Sequence, residues 1–342
     1  MVDRRDFLKS LAALGGLGLS GAWGRAVAEA LAADALPALR GDLTVYLGRG
    51  EGGLYKRIVE AIRERSPELA LEVRRGSSSG LANTLVADAR HGGARADLFW
   101  SIDASSLGHV ADEGLARPVP ARLHEPLPEA FRLEAFAPIS GRVRSIAYNP
   151  GRVRAEALPE RIMELPDTDL KVGWAPSYGA CQSFLTAMRL LEGEAATREW
   201  LRAIREQSRA YAGELGAVMA AAQGEVDLAL ANHYYTLRLK QGQPDIPLEL
   251  AFTRGDAGAL INTAGAALLS DSAVAADFVR YLHSREVQRF LAEQAYEIPL
   301  VEGVEPPAGA PAIARLEPPE LDLTRLGDLQ PTLALMREAG VL

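Results

Sequence analysis

A single cysteine, Cys181, is all the thiol chemistry this chain has. That excludes an internal disulfide and every multi-thiolate metal site, iron–sulfur and four-cysteine zinc included. No H-E-x-x-H, no G-x-x-x-x-G-K-[ST] and no C-x-x-C occurs, and the histidines sit in no recognisable frame. A basic excess is missing as well. Lys and Arg number 37 against 45 Asp and Glu, a net charge of −8, which argues against a protein that grips nucleic-acid phosphates. There is no internal repeat, no low-complexity tract, and no apolar run close to the ~20 residues that span a bilayer. Any metal held here is held by oxygen and nitrogen.

What is present starts with an address. Asp3-Arg4-Arg5-Asp6-Phe7-Leu8-Lys9 precedes an apolar run from Leu11 to Leu19, and both Ala26-Val27-Ala28 and Ala30-Leu31-Ala32 fit a small-residue cleavage site. Paired arginines, a short apolar stretch and such a site describe a signal peptide for the twin-arginine export route. The segment 1–40 is therefore expected to be leader and linker, and the mature protein to reach the periplasm already folded. Its length, within a chain of 342 residues, suits two domains.

From Asp42 the sequence alternates short apolar strands with amphipathic helices, an α/β pattern. Leu43–Leu47 reads as a strand, and Leu54, Ile58 and Ile62 then mark one face of a helix. Leu69–Val73, a helix over Leu81–Arg90 and the strand Asp97–Ser101 complete a β-α-β-α-β opening, which implies a parallel sheet. Val143–Asn149 runs apolar again. A second β/α series follows, with strands at Leu170–Trp174 and Val226–Ala231. The proline-rich tail from Pro306 gives little periodicity before a last helix near Thr332–Glu338.

Gly76-Ser77-Ser78-Ser79-Gly80 matches the G-x-S-x-G nucleophile elbow between strand and helix. Three adjacent serines produce that match cheaply, and no downstream His and Asp complete a triad. Capping or anion binding at a helix N-terminus is the better reading.

The informative stretch is the apolar run ending at Ala231 and followed by Asn232-His233-Tyr234-Tyr235. In open α/β sheets ligands gather at the carboxyl ends of strands. Consecutive tyrosines cannot share one face of a strand, so joint function requires a turn that aims both at one place. Phenols ionise only near pH ~10 unless a strong cation is adjacent. A hard trivalent ion is such a cation, which makes the pair suited to Fe³⁺. Two aromatics packed at a domain interface would look the same in sequence.

This strand followed by Asn-His-Tyr-Tyr resembles the paired-tyrosine motif of the periplasmic ferric-iron-binding proteins, bacterial transferrin-like components of ABC importers. The likeness runs over most of the mature chain: Leu43-Thr44-Val45-Tyr46, Ala96-Asp97-Leu98-Phe99-Trp100-Ser101, Ser140-Gly141-Arg142-Val143-Arg144, the anion turn Trp174–Ala180, and Asp256-Ala257-Gly258-Ala259-Leu260. Gly50 stands where some members place a histidine, and Ile102 followed by Asp103 where they place a glutamate. Tyr178 stands where another branch supplies a third tyrosine, so the chain resembles the three-tyrosine branch.

The resemblance implies a two-lobed type II periplasmic binding protein fold, with crossing hinge strands and a cleft between lobes. Residues 41–143 plus 264–342 would form lobe 1, and 144–263 lobe 2. It implies Fe³⁺ held by Tyr178, Tyr234 and Tyr235 with a carbonate-like synergistic anion. Arg142 or Arg144 and the amides of Gly179 and Ala180 would hold that anion, with contributions from Asp103 and His233 left open. It further implies a monomer that delivers iron to an ABC importer permease and its ATPase, and no catalysis. The same fold binding a small organic anion, phosphonate or cationic amine is the alternative. An exported enzyme is a second rival, resting on the export signal alone.

Overall fold

The computed structural model describes residues 36–48, 54–93 and 96–342. The leader and Gly50 lie outside the described residues. The chain forms two compact units, and each is described by itself. The first takes the described residues up to Gly141 together with Thr263–Pro307, and the second takes Arg142–Asn262 with Ala308–Leu342.

In the first unit β1 (Gly41–Leu47) leads to α1 (Leu54–Arg65), β2 (Leu69–Arg75), α2 (Ser78–Arg90), β3 (Leu98–Ser101) and α3 (Ala104–Asp112). As the β-α-β-α-β pattern predicts, β1 pairs in parallel with both β2 and β3. The sheet is nevertheless mixed, because β9 (Ile261–Leu268) runs antiparallel to β3, Phe99 opposite Ala267. The 3.6-residue spacing of α1 turns Ile58 and Ile62 inward, and both are fully buried. They join a core closed by α8 (Ala273–Leu282) and α9 (Arg285–Ala295), where Trp100 meets Tyr55 and Phe278 edge-on at 5.7 and 6.4 Å. The carboxylate of Glu297 accepts hydrogen bonds from the Tyr55 and Ser140 hydroxyls in that interior.

The serine turn is settled by its hydrogen bonds. Ser77 caps α2 by accepting from the Gly80 amide at 3.2 Å. Ser78, the central serine of the G-x-S-x-G match, is buried, donates to the Gly48 carbonyl at 2.9 Å and accepts from the Ile102 amide at 3.0 Å. An elbow nucleophile must be exposed, and this hydroxyl is a structural clasp between two loops.

β4 (Ala137–Tyr148) starts in the first unit, where Gly141 and Ser140 pair with β10 (Ile298–Pro299), and continues into the second. There its residues Arg144–Tyr148 run antiparallel to β7 (Leu228–Asn232), and Ile146–Tyr148 also face β8 (Glu249–Ala251). β7 pairs in parallel with β5 (Val172–Trp174), and β5 with β6 (Ser208–Ala210). The helices of this unit are α4 (Gly179–Glu192), α5 (Glu194–Gln207), α6 (Glu214–Gln223), α7 (His233–Gly242) and α10 (Leu329–Glu338). Trp200 anchors its interior, edge-on to Trp174 and Phe184, with its indole N–H donated to the Ile162 carbonyl at 2.9 Å.

One expected boundary needs correction. The last 35 residues, Ala308–Leu342, belong with the second unit and not with the lobe that contains β1. Thr332 of α10 is fully buried, where it meets the Thr186 hydroxyl and the Arg189 guanidinium at 3.0 Å each. Leu335 and Met336 are buried beside it, and Arg189 pairs with Asp328 at 2.7 Å. The tail closes over α4, the helix that Tyr178 precedes.

Candidate metal and anion site

β7 ends at Asn232, and α7 begins at the next residue. The tyrosine pair therefore lies in the first turn of a helix and not on a strand. Successive helical residues point ~100° apart instead of to opposite faces, so neighbouring phenols can serve one place. The Tyr234 and Tyr235 rings stand 4.6 Å apart at 45°. Tyr178 arrives from the other β/α connection as the N-cap residue of α4, and its hydroxyl lies 3.2 Å from that of Tyr235. All three predicted tyrosines belong to the second unit, and these contacts bring them together.

The surroundings of the phenols differ. Tyr235 is partly buried, and desolvation lifts its pKa far above the ordinary tyrosine value. Tyr234, Glu214 and Tyr178 push it the same way. Tyr234 is buried, its oxygen accepts from the Asn232 side-chain amide at 3.3 Å, and the Arg238 guanidinium lies 4.7 Å over its ring. Asparagine at an N-cap normally accepts from the helix amides. Here the side chain makes no such bond and is turned to the phenol instead.

Arg142 and Arg144 lie two apart on β4, hence on one face, and both line a small cavity of about 20 Å³. That is room for about one water-sized group. Asn232, Asn262, Ala180 and Phe184 complete most of the wall, with Ala257 and Leu260 from the Asp256–Leu260 turn. Arg144 is buried, donates to the Glu214 carboxylate and to the Ala180 carbonyl (2.7 Å), and lies 5.1 Å over the Phe184 ring. Burial lowers its pKa more than any single neighbour raises it, but the Glu214 charge and hydrogen bond, together with Cys181 and Tyr234, hold it above the ordinary value. Gly179 and Ala180 occupy the first turn of α4, where amides have no carbonyl of their own helix to bond. Two buried guanidiniums and a helix N-terminus suit an oxyanion.

The remaining candidates play other parts. His233 is fully buried and its Nδ1 accepts from the Val143 amide at 3.4 Å. Asp103 caps α3, accepting from the Ser106 amide at 2.8 Å and the Ser106 hydroxyl at 3.2 Å. Cys181 is buried, and desolvation pushes its thiol up to about 12. Among the described residues no three of His, Cys, Asp and Glu gather as a metal site. Glu214 and Asn262 escaped the sequence reading. An acid directly after Gly213 looks like an ordinary first-turn helix residue, and only the three-dimensional pairing reveals its role.

Known proteins share this arrangement of chain. The family model for bacterial extracellular solute-binding proteins matches residues 43–297. A major ferric iron-binding protein of Neisseria meningitidis is 31% identical over 331 residues, covering 92% of this chain and 97% of that one. An Fe(3+)-binding periplasmic protein of Serratia marcescens is 26% identical over 285 residues, 80% of this chain and 83% of its own. Among solved structures, iron-bound HitA from Pseudomonas aeruginosa superimposes with a TM-score of 0.78 at 27% identity, covering 87% of this chain and 99% of HitA. By the span of the family match and the identity to these relatives, the chain belongs to the bacterial extracellular solute-binding proteins.

Proposed function

We propose that this protein captures ferric iron outside the cytoplasm and delivers it to an ABC importer permease and its ATPase, without catalysing a reaction. The phenolate oxygens of Tyr178, Tyr234 and Tyr235 are the iron ligands in this reading. A carbonate-like anion is the partner ligand, held by Arg142 and Arg144 with the amides of Gly179 and Ala180. The observation that carries it is the meeting of the Tyr178 and Tyr235 hydroxyls at 3.2 Å, from two separate β/α connections, with the Tyr234 ring 4.6 Å from that of Tyr235. Tyrosine hydroxyls that serve only packing have no reason to meet as these two do, and three phenolates, hard oxygen donors, would neutralise Fe³⁺. The names of the relatives point the same way, as does the twin-arginine leader, which directs a folded passenger to the periplasm.

Iron uptake must displace phenol protons. Tyr235 resists ionisation in the empty site, so iron is needed to draw its proton off, and acid favours release. The Asn232 amide donates to the Tyr234 oxygen and favours its phenolate. One observation bears on the amine-clamp alternative. Arg238 already covers a face of Tyr234, so that face is taken by a cation of the protein itself. The test is equilibrium competition against citrate. Tyr178→Phe, Tyr234→Phe and Tyr235→Phe are each expected to lose iron affinity, although all three keep the aromatic ring. Unchanged affinity in these variants would refute phenolate ligation.

A further inference from the structure

Three β/α connections of the second unit meet at one buried carboxylate, that of Glu214. The residue opens α6 and is only 1% exposed. One of its oxygens accepts from the Arg144 guanidinium, and the other accepts from the backbone amide of Asn232 at 3.0 Å. Arg144 and Asn232 stand opposite one another at the end of the β4–β7 ladder. From there each reaches a different part of the site. Arg144 donates to the Ala180 carbonyl, in the first turn of the helix that Tyr178 precedes, at 2.7 Å. The Asn232 side chain donates to the Tyr234 oxygen at 3.3 Å. Asn232 is also the N-cap of α7, so its backbone fixes where the tyrosine helix starts.

We propose that Glu214 is a positioning residue for iron, holding Asn232 where its side-chain amide meets the Tyr234 phenol. The proposal rests on the phenolate ligation given above. The hydrogen bonds require a carboxylate at this position. Two donors, a guanidinium N–H and a peptide N–H, converge on its two oxygens, and an ionised carboxylate accepts at both. A glutamine of the same shape offers one acceptor oxygen and one NH₂ group. One of the two donors would then face another donor in a buried interior, where an unmade hydrogen bond is costly. An aspartate keeps both acceptors and is one methylene shorter. Without this anchor Asn232 is loosened at the very residue where strand becomes helix. Its amide then no longer holds the Tyr234 oxygen in the place where an ion shared with Tyr235 and Tyr178 would sit.

The experiment is a double-mutant cycle in the full chain, with ferric iron affinity read by citrate competition. Glu214→Gln alone is expected to weaken iron binding by about 10- to 100-fold, the usual cost of losing a ligand's supporting partner. Glu214→Asp should retain more affinity than Glu214→Gln. In the Tyr234→Phe background the oxygen through which Glu214 acts is gone, so adding Glu214→Gln should cost about twofold or less. A general structural defect behaves otherwise, because its penalty is the same with or without the Tyr234 oxygen. Where Glu214→Gln fails to fold, Glu214→Asp takes its place in the cycle, and its smaller penalty must likewise vanish beside Tyr234→Phe. Full additivity, unchanged affinity in Glu214→Gln, or Glu214→Asp binding as weakly as Glu214→Gln overturns the proposal. The Tyr234→Phe single variant separates the two readings. Unchanged iron affinity there sinks phenolate ligation itself, whereas a loss there with an additive Glu214 penalty sinks only the role of Glu214.

Discussion

Tyr235 concentrates the local electrostatics of the site. Its neighbours and its burial all oppose ionisation, while Asn232 assists the phenolate of Tyr234 next to it. Asn232→Ala removes that donor and leaves the three phenols in place, so iron affinity is expected to fall by 10- to 100-fold, the usual cost of losing a ligand's orienting partner. Citrate competition measures it, and the visible spectrum should keep its shape. Cys181 makes the opposite prediction at the same scale. With its thiol at about 12 and its side chain buried, it should resist Ellman's reagent at pH 8 in the native protein and react only on unfolding. His283 titrates in a way that can be isolated. Burial lowers its pKa from 6.5 to about 4, with its Nε2 bonded to the Pro138 carbonyl at 2.8 Å. Between those values the unfolded chain binds a proton that the native one refuses, so this contribution is complete above pH 6.5 and is lost as pH falls toward 4. The loss amounts to about 3 kcal/mol. Urea unfolding of wild type and His283→Gln at pH 7.5 and 4.5 should show the variant losing less.

At the level of elements, two close approaches hold the site's walls. A Cβ on Gly258, in the turn that supplies Ala257 and Leu260, would lie 2.1 Å from the Thr253 hydroxyl oxygen and 2.8 Å from the Ile162 Cβ. Gly258→Ala is therefore expected to cost about 1–3 kcal/mol in denaturant unfolding. The strands and helices of the two units were largely legible, because apolar runs and 3.6-residue spacing mark β1, α1, β2 and β3 in the first and β7 in the second. The helical start at His233 was not. A run ending Asn-His-Tyr-Tyr has no helix period of its own, and the usual capping role of asparagine is given up here to a phenol. Arg142 and Arg144 sharing a face follows from strand alternation alone. The pairing of one of them with Glu214 does not, since 70 residues separate the partners.

For the whole molecule, two crossings of the chain between units fall at Gly141/Arg142 and Asn262/Thr263, close to where the motif pattern changes in sequence. The third crossing, at Pro307/Ala308, was hidden because a proline-rich tail shows no burial period until α10. That tail packs on α4, so ending the chain at Pro307 should uncover Thr186 and Arg189 and loosen the helix whose N-cap is Tyr178. The truncated protein is expected to lose iron binding and to be cut by protease within residues 142–262 first.

Tyrosinate ligation of ferric iron leaves a signature in a single visible spectrum. The full chain is stripped with a chelator, given ferric citrate with bicarbonate, and scanned in the visible. Wild type should show a phenolate-to-iron charge-transfer band that disappears in the Tyr234→Phe/Tyr235→Phe double variant. No band in wild type, with no rise in melting temperature at saturating iron, would contradict it.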